Sequence, residues 1–575
     1  MAYNKSYFHR GGESPLLGQT IPEHFADIVC RFQNHEALVC IPQHQRLTYS
    51  EFSRRIDQLA QGLIALGFAK GDRIGIWSTN NLEWVLLQMA TARIGAVLVN
   101  INPAYRLHEL EYVLKNSEIQ CLFTIPAFKS SDYVGMLAKL LPELGSSTSE
   151  HFVSVKFPAL RRVVVYDPIN PENTNRPAKG FTVWQDVTTA AGQISLLQLD
   201  AITATLDRDD PINIQYTSGT TGSPKPVLLS HHNILNNAWF SAQAMHFTHN
   251  DRLCIPVPFY HCFGMVLANL LCFSVGATAV IACEHFDAEI VLKTIEQERC
   301  TAVHGVPTMF IAELEHPDFS RYRLDSLRTG IMAGAPCPPA LMERVMTTLH
   351  CPEILIGYGE TEASPLTHLT TPEDSIERRT QTVGRNLPHQ EVKIVDFTGD
   401  QTVTLGQVGE VCFRGYHLMQ GYAKNPEATA QAIDHQGWLH SGDLGVMDKD
   451  GYLSITGRIK EMIIRGGENI YPREIEDFIF THPKVSGVAV FGIPDELYGE
   501  EVVAWIQLHA DAECTAEEIR AFCQDNLAHF KMPKLIEFVD SFPMTVTGKL
   551  QKFRMREITL EKLKNQHNQE GNNCT

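Results

Sequence analysis

The sequence predicts an α/β fold: a large N-terminal domain of helix-covered sheets followed by a small α+β C-terminal domain. Three observations predict it. Short β-rich runs alternate with apolar helical patterns from Ile64 to about residue 360, as in a parallel sheet covered by helices. A change in composition follows Gly451, where Tyr452-Leu453-Ser454-Ile455-Thr456 runs into the charged Gly457-Arg458-Ile459-Lys460 and the polar turn Arg465-Gly466-Gly467-Glu468-Asn469. The chain is 575 residues long with 44% hydrophobic residues, too long for one core and apolar enough for two. The boundary is placed near Lys460, giving domains 1–459 and 460–575.

In chain order, Arg73-Ile74-Gly75-Ile76-Trp77 reads as a strand, 83–94 as a helix, and Ala96-Val97-Leu98-Val99-Asn100 as the next strand. A helix at 107–117 then leads to the strand Cys121-Leu122-Phe123-Thr124-Ile125. Helix–strand units continue to about residue 360, with Arg162-Val163-Val164-Val165-Tyr166 among the strands. Residues 253–283 contain no Asp, Glu, Lys or Arg, long enough to raise the question of a membrane span. Pro256, Pro258, His261, Asn269 and Gly276 interrupt the run, so it reads as a buried strand, loop, helix near 264–275 and strand near 278–283. In the C-terminal domain a helix opens at Pro472, strands follow at 487–493 and 501–508, Thr515-x-x-Glu518 forms a helix-opening capping box, and 535–540 is a strand. The polar residues Asn565 to Thr575 read as a frayed end.

A formal charge of −18 argues against nucleic acid or an anionic membrane as a partner, since neither would meet a broad basic surface. Any anionic ligand must be held by a few placed cations, backbone donors and a metal ion. The fourteen cysteines stand singly, with no C-x-x-C pair and no cysteine–histidine ligand spacing, which points to a reducing compartment and away from structural zinc. The first ten residues lack an apolar stretch, and the cytoplasm is the expected location.

Four stretches carry chemistry. Thr217-Ser218-Gly219-Thr220-Thr221-Gly222-Ser223-Pro224-Lys225 has two glycines for close backbone approach, several hydroxyl donors and one terminal cation, the makings of a phosphate clamp. It is not a Walker loop, because its glycines stand three apart and Lys225 follows proline; alone, such a loop is more often a surface linker than a phosphate site. Gly357-Tyr358-Gly359-Glu360-Thr361-Glu362 follows the apolar run Ile354-Leu355-Ile356, placing carboxylates at the C-terminal end of a strand, where open α/β sheets bind ligands and where Mg²⁺ could sit beside phosphate. Trp438-Leu439-His440-Ser441-Gly442-Asp443 offers a carboxylate in a tight turn, suited to a ribose diol, and Pro543-Met544-Thr545-Val546-Thr547-Gly548-Lys549 puts one lysine on a turn. Taken singly, the Asp443 turn or Lys549 would usually be ordinary surface; the ordered set is the signal.

That set resembles the adenylate-forming superfamily of acyl-CoA synthetases, luciferases and peptide-synthetase adenylation domains, from about Leu47 to Lys552. Pro15-Leu16-Leu17-Gly18-Gln19-Thr20-Ile21 and Pro258-Phe259-Tyr260-His261-Cys262-Phe263-Gly264 most resemble the medium-chain acyl-CoA synthetase branch. The resemblance implies ATP, Mg²⁺ and CoA as ligands, with Thr217, Ser218, Gly219, Thr220, Thr221, Gly222, Ser223 and Lys225 on the β- and γ-phosphates. Thr361 and Glu362 would bind phosphate and Mg²⁺, Tyr358 would lie against adenine with the Gly334-Ala335-Pro336 turn on its other side, and Asp443 and Arg458 would hold the ribose. Lys549 would bridge the substrate carboxylate and the α-phosphate. Lys460 would be the pivot of a mobile small domain, whose rotation would bring Gly466, Gly467 and Glu468 to the acyl-adenylate for the CoA step.

For the acyl chain, the uncharged stretch around Phe259, His261 and Phe263, with Gly305-Val306-Pro307, offers an apolar wall; His261 could equally be a core histidine. The expected activity is ATP-dependent formation of acyl-CoA through acyl-AMP, with a medium-chain fatty acid as substrate. Two alternatives stay open here: loading of a carrier-protein thiol, and a non-catalytic nucleotide-binding protein. The sequence does not fix the oligomeric state.

Overall fold

The computed structural model describes residues 4–149, 152–170, 175–217, 224–335, 337–399, 401–466, 468–510, 512–524, 526–545 and 550–572, with side chains to 565. Two large sheets dominate. The first has eight strands in the order Phe181–Val183, Arg162–Val165, Cys121–Thr124, Arg73–Trp77, Val97–Ile101, Pro211–Thr217, Lys225–Ser230, Gly421–Tyr422; it is parallel up to Pro211–Thr217 and antiparallel beyond. The second has nine strands, with Glu353–Gly359, Thr329–Met332, Ala302–Val303, Arg252–Ile255, Thr278–Ile281 and Glu36–Cys40 running parallel through its centre.

The expected helix at 83–94 is Leu82–Ile94, with Asn81 capping its N-terminus and Gly95 closing it at φ 72°. Its sequence, LEWVLLQMATARI, has no polar face, and only Arg93 escapes full burial. A helix apolar all round belongs between other layers rather than on a surface. The uncharged run likewise folds into the core: strands Arg252–Ile255 and Thr278–Ile281 flank a buried helical segment. That segment departs from expectation, because Met265–Leu270 is a π-helix between an α-turn at Cys262–Gly264 and the α-helix Leu271–Val275. Buried amides reach into this wider coil: Gln88 Nε2 donates to the Met265 carbonyl at 3.2 Å, and Asn269 Nδ2 donates to Gln88 Oε1 at 3.0 Å. Side chains that engage a helix's own carbonyls favour such local widening. Among the described residues, no helix is long and apolar enough to cross a membrane.

A five-stranded antiparallel sheet, Tyr7–Arg10, Gln390–Val395, Gly409–Gly415, Leu439–Met447 and Leu453–Arg458, completes the body. At Arg458 the chain leaves it, makes a 3₁₀ turn at Ile459–Glu461, and enters a separate sheet at Ile463–Arg465. That sheet also holds Glu468–Ile470, Gly499–Leu508, Val485–Asp495 and Leu535–Phe538. Its two apolar clusters draw only on residues from Ile463 onward. Pro472 opens the helix Pro472–Ile479 as expected.

Two C-terminal expectations are corrected. The capping box is half formed: Glu518 N donates to Thr515 Oγ1 at 3.2 Å, but the Glu518 carboxylate turns to Lys484 Nζ at 2.8 Å, a stronger partner than a backbone amide. The chain end expected to fray from Asn565 is helical, within Lys552–Asn572.

Candidate functional site

The site is built at the end of the strand Glu353–Gly359. Gly359 is required by close approach, since a Cβ there would stand 2.0 Å from the carbonyl oxygen of Pro365, just before the returning strand Leu366–Leu369. The hairpin is tied again by Thr367 Oγ1, which donates to the Tyr358 carbonyl at 3.0 Å. Tyr358 is thereby aimed at the antiparallel sheet, where its hydroxyl donates to Asp443 Oδ2 at 2.7 Å. The other oxygen, Asp443 Oδ1, lies 3.0 Å from Arg458 Nε, and these two residues are directly opposite in neighbouring strands. Burial and the Asp443 charge push the Tyr358 phenol well above its usual range, so it stays a donor. Asp443 in turn raises Arg458.

The Asp443 turn is braced from behind. Ser441 Oγ donates to the Val411 carbonyl at 2.6 Å, Gly442 N to Glu410 Oε1 at 3.0 Å, and Gly442 takes φ 72°, a conformation that favours glycine. Glu410 Oε2 also pairs with His440 Nδ1 at 2.8 Å, with Asp434 3.7 Å from Nε2; the Glu410 hydrogen bond raises the imidazole pKa. Folding thus gathers Glu410, Cys412 and His440 into a group of metal-ligand type that sequence spacing did not reveal, as it does His482, Cys514 and Glu518. In the first group His440 is already held by Glu410 and, from outside the group, by Asp434.

Thr361 is buried in the 3₁₀ turn Thr361–Ala363, near the thiol of Cys262, whose pKa burial pushes up. Glu362 Oε1 accepts from Tyr422 Oη at 2.8 Å. Lys225 opens the strand Lys225–Ser230, pairs in register with Thr217, and places Nζ 4.8 Å from the centre of the Tyr422 ring. Ser218, Gly219, Thr220, Thr221, Gly222 and Ser223 lie outside the described residues, as do Pro336, Gly467 and Lys549. The stems of the 218–223 loop are fixed: Tyr112 Oη donates to the Pro224 carbonyl at 3.1 Å, and Tyr216 Oη lies 2.6 Å from Ser117 Oγ. Burial and the neighbouring Glu362 charge push the Glu360 carboxyl well above the ordinary range, and its Oε1 has no partner among the described residues.

Gly334, at φ 85°, and Ala335 follow the strand Thr329–Met332, and Gly305 is joined to that strand through Gly305 N to Ile331 O at 3.1 Å and Ala333 N to Gly305 O at 3.2 Å. The turn expected at adenine and the turn expected in the acyl wall are therefore neighbours. Val306 is buried at the start of the helix Pro307–Leu314. Phe259 is fully buried, packed on Trp84 at 5.4 Å between ring centres, with its N–H given to Asn80 Oδ1 at 2.8 Å. His261 is half-buried and accepts the Phe263 N–H on Nδ1 at 3.3 Å.

Sequence reading missed His304, which links the two halves of this wall. It is fully buried, accepts the Ile331 N–H on Nδ1 at 3.1 Å, donates from Nε2 to the Leu267 carbonyl at 2.9 Å, and stacks on Phe263. Those partners require the neutral ring, and burial lowers its pKa to about 4. Tyr422 was missed as well, because a tyrosine in a Gly-Tyr-Ala run carries no signal until its strand partner is known.

Lys460 is exposed in the turn between the two sheets, and Gly466, at φ 61°, donates its N–H to the Tyr498 carbonyl at 2.8 Å. Glu468 is exposed at the start of its strand. Arg465 beside them grips Glu501 with two bonds of 2.9 Å each. Arg465 and Glu468 lie in the C-terminal sheet, apart from the Tyr358–Asp443–Arg458 group.

Residues 25–423 match the model of a family described as AMP-binding enzyme, and 474–549 match its C-terminal domain. The chain is 46% identical over 546 residues to a putative acyl-CoA synthetase, YngI, of Bacillus subtilis, covering 95% of this chain and 98% of the relative. It is 42% identical over 560 residues to the mitochondrial medium-chain acyl-CoA ligase ACSF2 of Danio rerio, covering 97% and 91%. Among solved structures, the anthranilate CoA ligase AuaEII in complex with anthranoyl-AMP superposes with a TM-score of 0.82 at 26% identity, over 96% of this chain and 99% of that one.

Proposed function

The chain belongs to the AMP-binding enzyme family, and from that premise we infer that it is an acid–thiol ligase. It activates a carboxylic acid with ATP as an acyl-adenylate, releasing pyrophosphate, and passes the acyl group to the thiol of CoA, releasing AMP. A medium-chain fatty acid is the substrate we favour, supported by the medium-chain ligases among its relatives and by the apolar wall of Phe263, Val306 and the neutral His304. The cysteine pattern supports a reducing compartment, and our reading is the cytoplasm.

The observation that carries the nucleotide reading is the group Tyr358–Asp443–Arg458 at the end of the strand Glu353–Gly359, with Glu362 three residues along the same turn. In this reading Asp443 accepts the ribose hydroxyls while Arg458 and Tyr358 hold its carboxylate in place, and the ring of Tyr358 faces adenine opposite Gly334, Ala335 and Pro336. Thr217, Lys225 and the hydroxyl-rich loop between them take the β- and γ-phosphates. Lys225 loses little by leaving its perch: an ammonium over a ring is worth about 0.5–2 kcal/mol, against about 2.7–4 kcal/mol for one donor aimed at transition-state charge. Thr361 and Glu362 fit Mg²⁺, which takes one or two carboxylates plus phosphate oxygens. Bound there, the ion would offset the charge of the phosphates.

A carboxylate is a poor electrophile and an anion, so it must be brought against the α-phosphate by a cation. Lys549 is that cation in our reading, and it must then leave for the thiol to reach the same carbonyl. The division at 459/460, with Lys460 as pivot, supplies that motion, and Gly466, Gly467 and Glu468 then line the CoA approach. Incubating the purified protein with ATP, Mg²⁺ and linear carboxylates of graded length, with and without CoA, and identifying products by mass spectrometry tests the reading. Acyl-CoA together with AMP is expected, with the highest yield at medium length; acyl-AMP without any thioester would point to a carrier-protein acceptor instead.

A further inference from the structure

Tyr422 stands between the two charged groups assigned to the triphosphate and its cation. Its hydroxyl donates to Glu362 Oε1 at 2.8 Å, while Lys225 Nζ lies 4.8 Å from the centre of its ring. The backbone leaves it little choice of position. Tyr422 pairs with Val227 in the strand that Lys225 opens, its N–H goes to Thr429 Oγ1 at 2.9 Å, and the next N–H, of Ala423, goes to the Pro226 carbonyl at 2.8 Å. The same strand therefore sets both the lysine and the ring. The side chain is buried, and burial together with the Glu362 charge pushes the phenol up, so it remains a donor.

A lysine and a glutamate held so near one residue would ordinarily close into an ion pair, and no Lys225–Glu362 ion pair occurs among the described residues. The ring keeps them apart. Its hydroxyl binds one Glu362 oxygen and thereby fixes the direction of the other.

We propose that Tyr422 is a positioning residue for the divalent cation of the bound nucleotide: it orients Glu362 toward the cation and prevents Lys225 from neutralising that carboxylate. The proposal rests on the ATP-binding reading above. A residue outside every motif named above thus couples the lysine assigned to phosphate to the carboxylate assigned to the cation, and its two chemical parts have separate duties. The hydroxyl orients; the ring separates.

Tyr422→Phe removes only the hydroxyl, and Tyr422→Leu removes the ring as well. Mn²⁺ binding to the full-length protein carrying ATP, followed by electron paramagnetic resonance, reads the cation site directly, and equilibrium dialysis of metal-free ATP reads the rest of the nucleotide site. For Tyr422→Phe the Mn²⁺ affinity is expected to fall on the order of tenfold, as for loss of a hydrogen bond to a charged group. Metal-free ATP affinity is expected to stay near the wild-type value in that variant and to fall in Tyr422→Leu, where Lys225 can pair with Glu362. Wild-type Mn²⁺ affinity in Tyr422→Phe overturns the proposal. So does an equal loss of metal-free ATP binding in Tyr422→Phe, which would make the residue a packing element of the whole site. If the wild-type protein binds no ATP in either assay, the nucleotide reading falls first and the proposal with it.

Discussion

The two sides of the turn Ile459–Glu461 are held in different ways. On the N-terminal side, Asp443 has one oxygen on Tyr358 and the other near Arg458, and its turn is braced by Ser441 and Glu410 from adjacent strands. On the C-terminal side, Gly466 and Glu468 belong to a sheet with its own two apolar clusters. One ion pair that crosses to the body, His509 to Glu315 at 3.7 Å, has both side chains about two-fifths exposed, at 41% and 40%. Pairs of that kind are worth about 0–1 kcal/mol. The Asp443 corner is thus held by its own strands, whereas the small unit carries apolar clusters of its own, and in our proposal it is repositioned without unpacking a core.

The largest expected effect falls on the movable side. Lys549→Ala is predicted to slow acyl-adenylate formation by about 10²–10³-fold, the cost of one charge-stabilising donor, while keeping much of the thioester step from supplied acyl-AMP. Equal loss in both steps would erase the distinction between the two regions. Next comes the fixed side. Asp443→Ala leaves the half-buried Tyr358 hydroxyl and the exposed Arg458 without their acceptor, a loss of about 1 kcal/mol for the one hydrogen bond, so nucleotide affinity measured by calorimetry should drop about fivefold or more, with a lower melting temperature. An unchanged melting temperature would mean that the corner is not braced through this carboxylate. Lys460→Pro should sharpen the contrast by slowing the thioester step several-fold more than adenylation, and an unchanged ratio of the two rates would place the pivot elsewhere.

Much of the fixed region was legible in the sequence because local rules write it. The strand at Arg73–Trp77 and the helix at Leu82–Ile94 follow from apolar runs closed by Asn81 and Gly95, and the Asp443 turn follows from glycine beside a carboxylate. What the sequence concealed depends on distant partners. The π-helical turn at Met265–Leu270 involves Gln88, nearly 180 residues away (|i−j| is 177), and His304 acquires its tautomer from Ile331 and Leu267. The capping box failed for the same reason, since Lys484 competes for Glu518 from another element. Tyr422 is the sharpest case, because its meaning arises only when Gly421–Tyr422 adds to the strand that Lys225 opens.

The smallest effect tests the bracing of the Asp443 turn by pH. The hydrogen bond to Glu410 raises the folded-state pKa of His440 above its ordinary value, so its protonated form favours the fold. That contribution is fully present below the unfolded pKa of about 6.5 and is lost as pH rises through the raised folded value. Urea unfolding of His440→Gln should therefore show a deficit against wild type at pH 6 that narrows toward pH 9; a deficit independent of pH would remove the ion pair from the account.

The repositioning itself is most directly tested by distance. One fluorophore on the exposed Cys30 of the body and another on Glu517→Cys, at a side chain 81% exposed on the small unit, with Cys514 and Cys574 replaced by serine, report their separation by energy transfer. The account predicts one distance distribution with ATP and a medium-chain acid, and a shifted one when CoA is added with a non-hydrolysable acyl-AMP analogue. A single distribution, the same under both conditions, would contradict it.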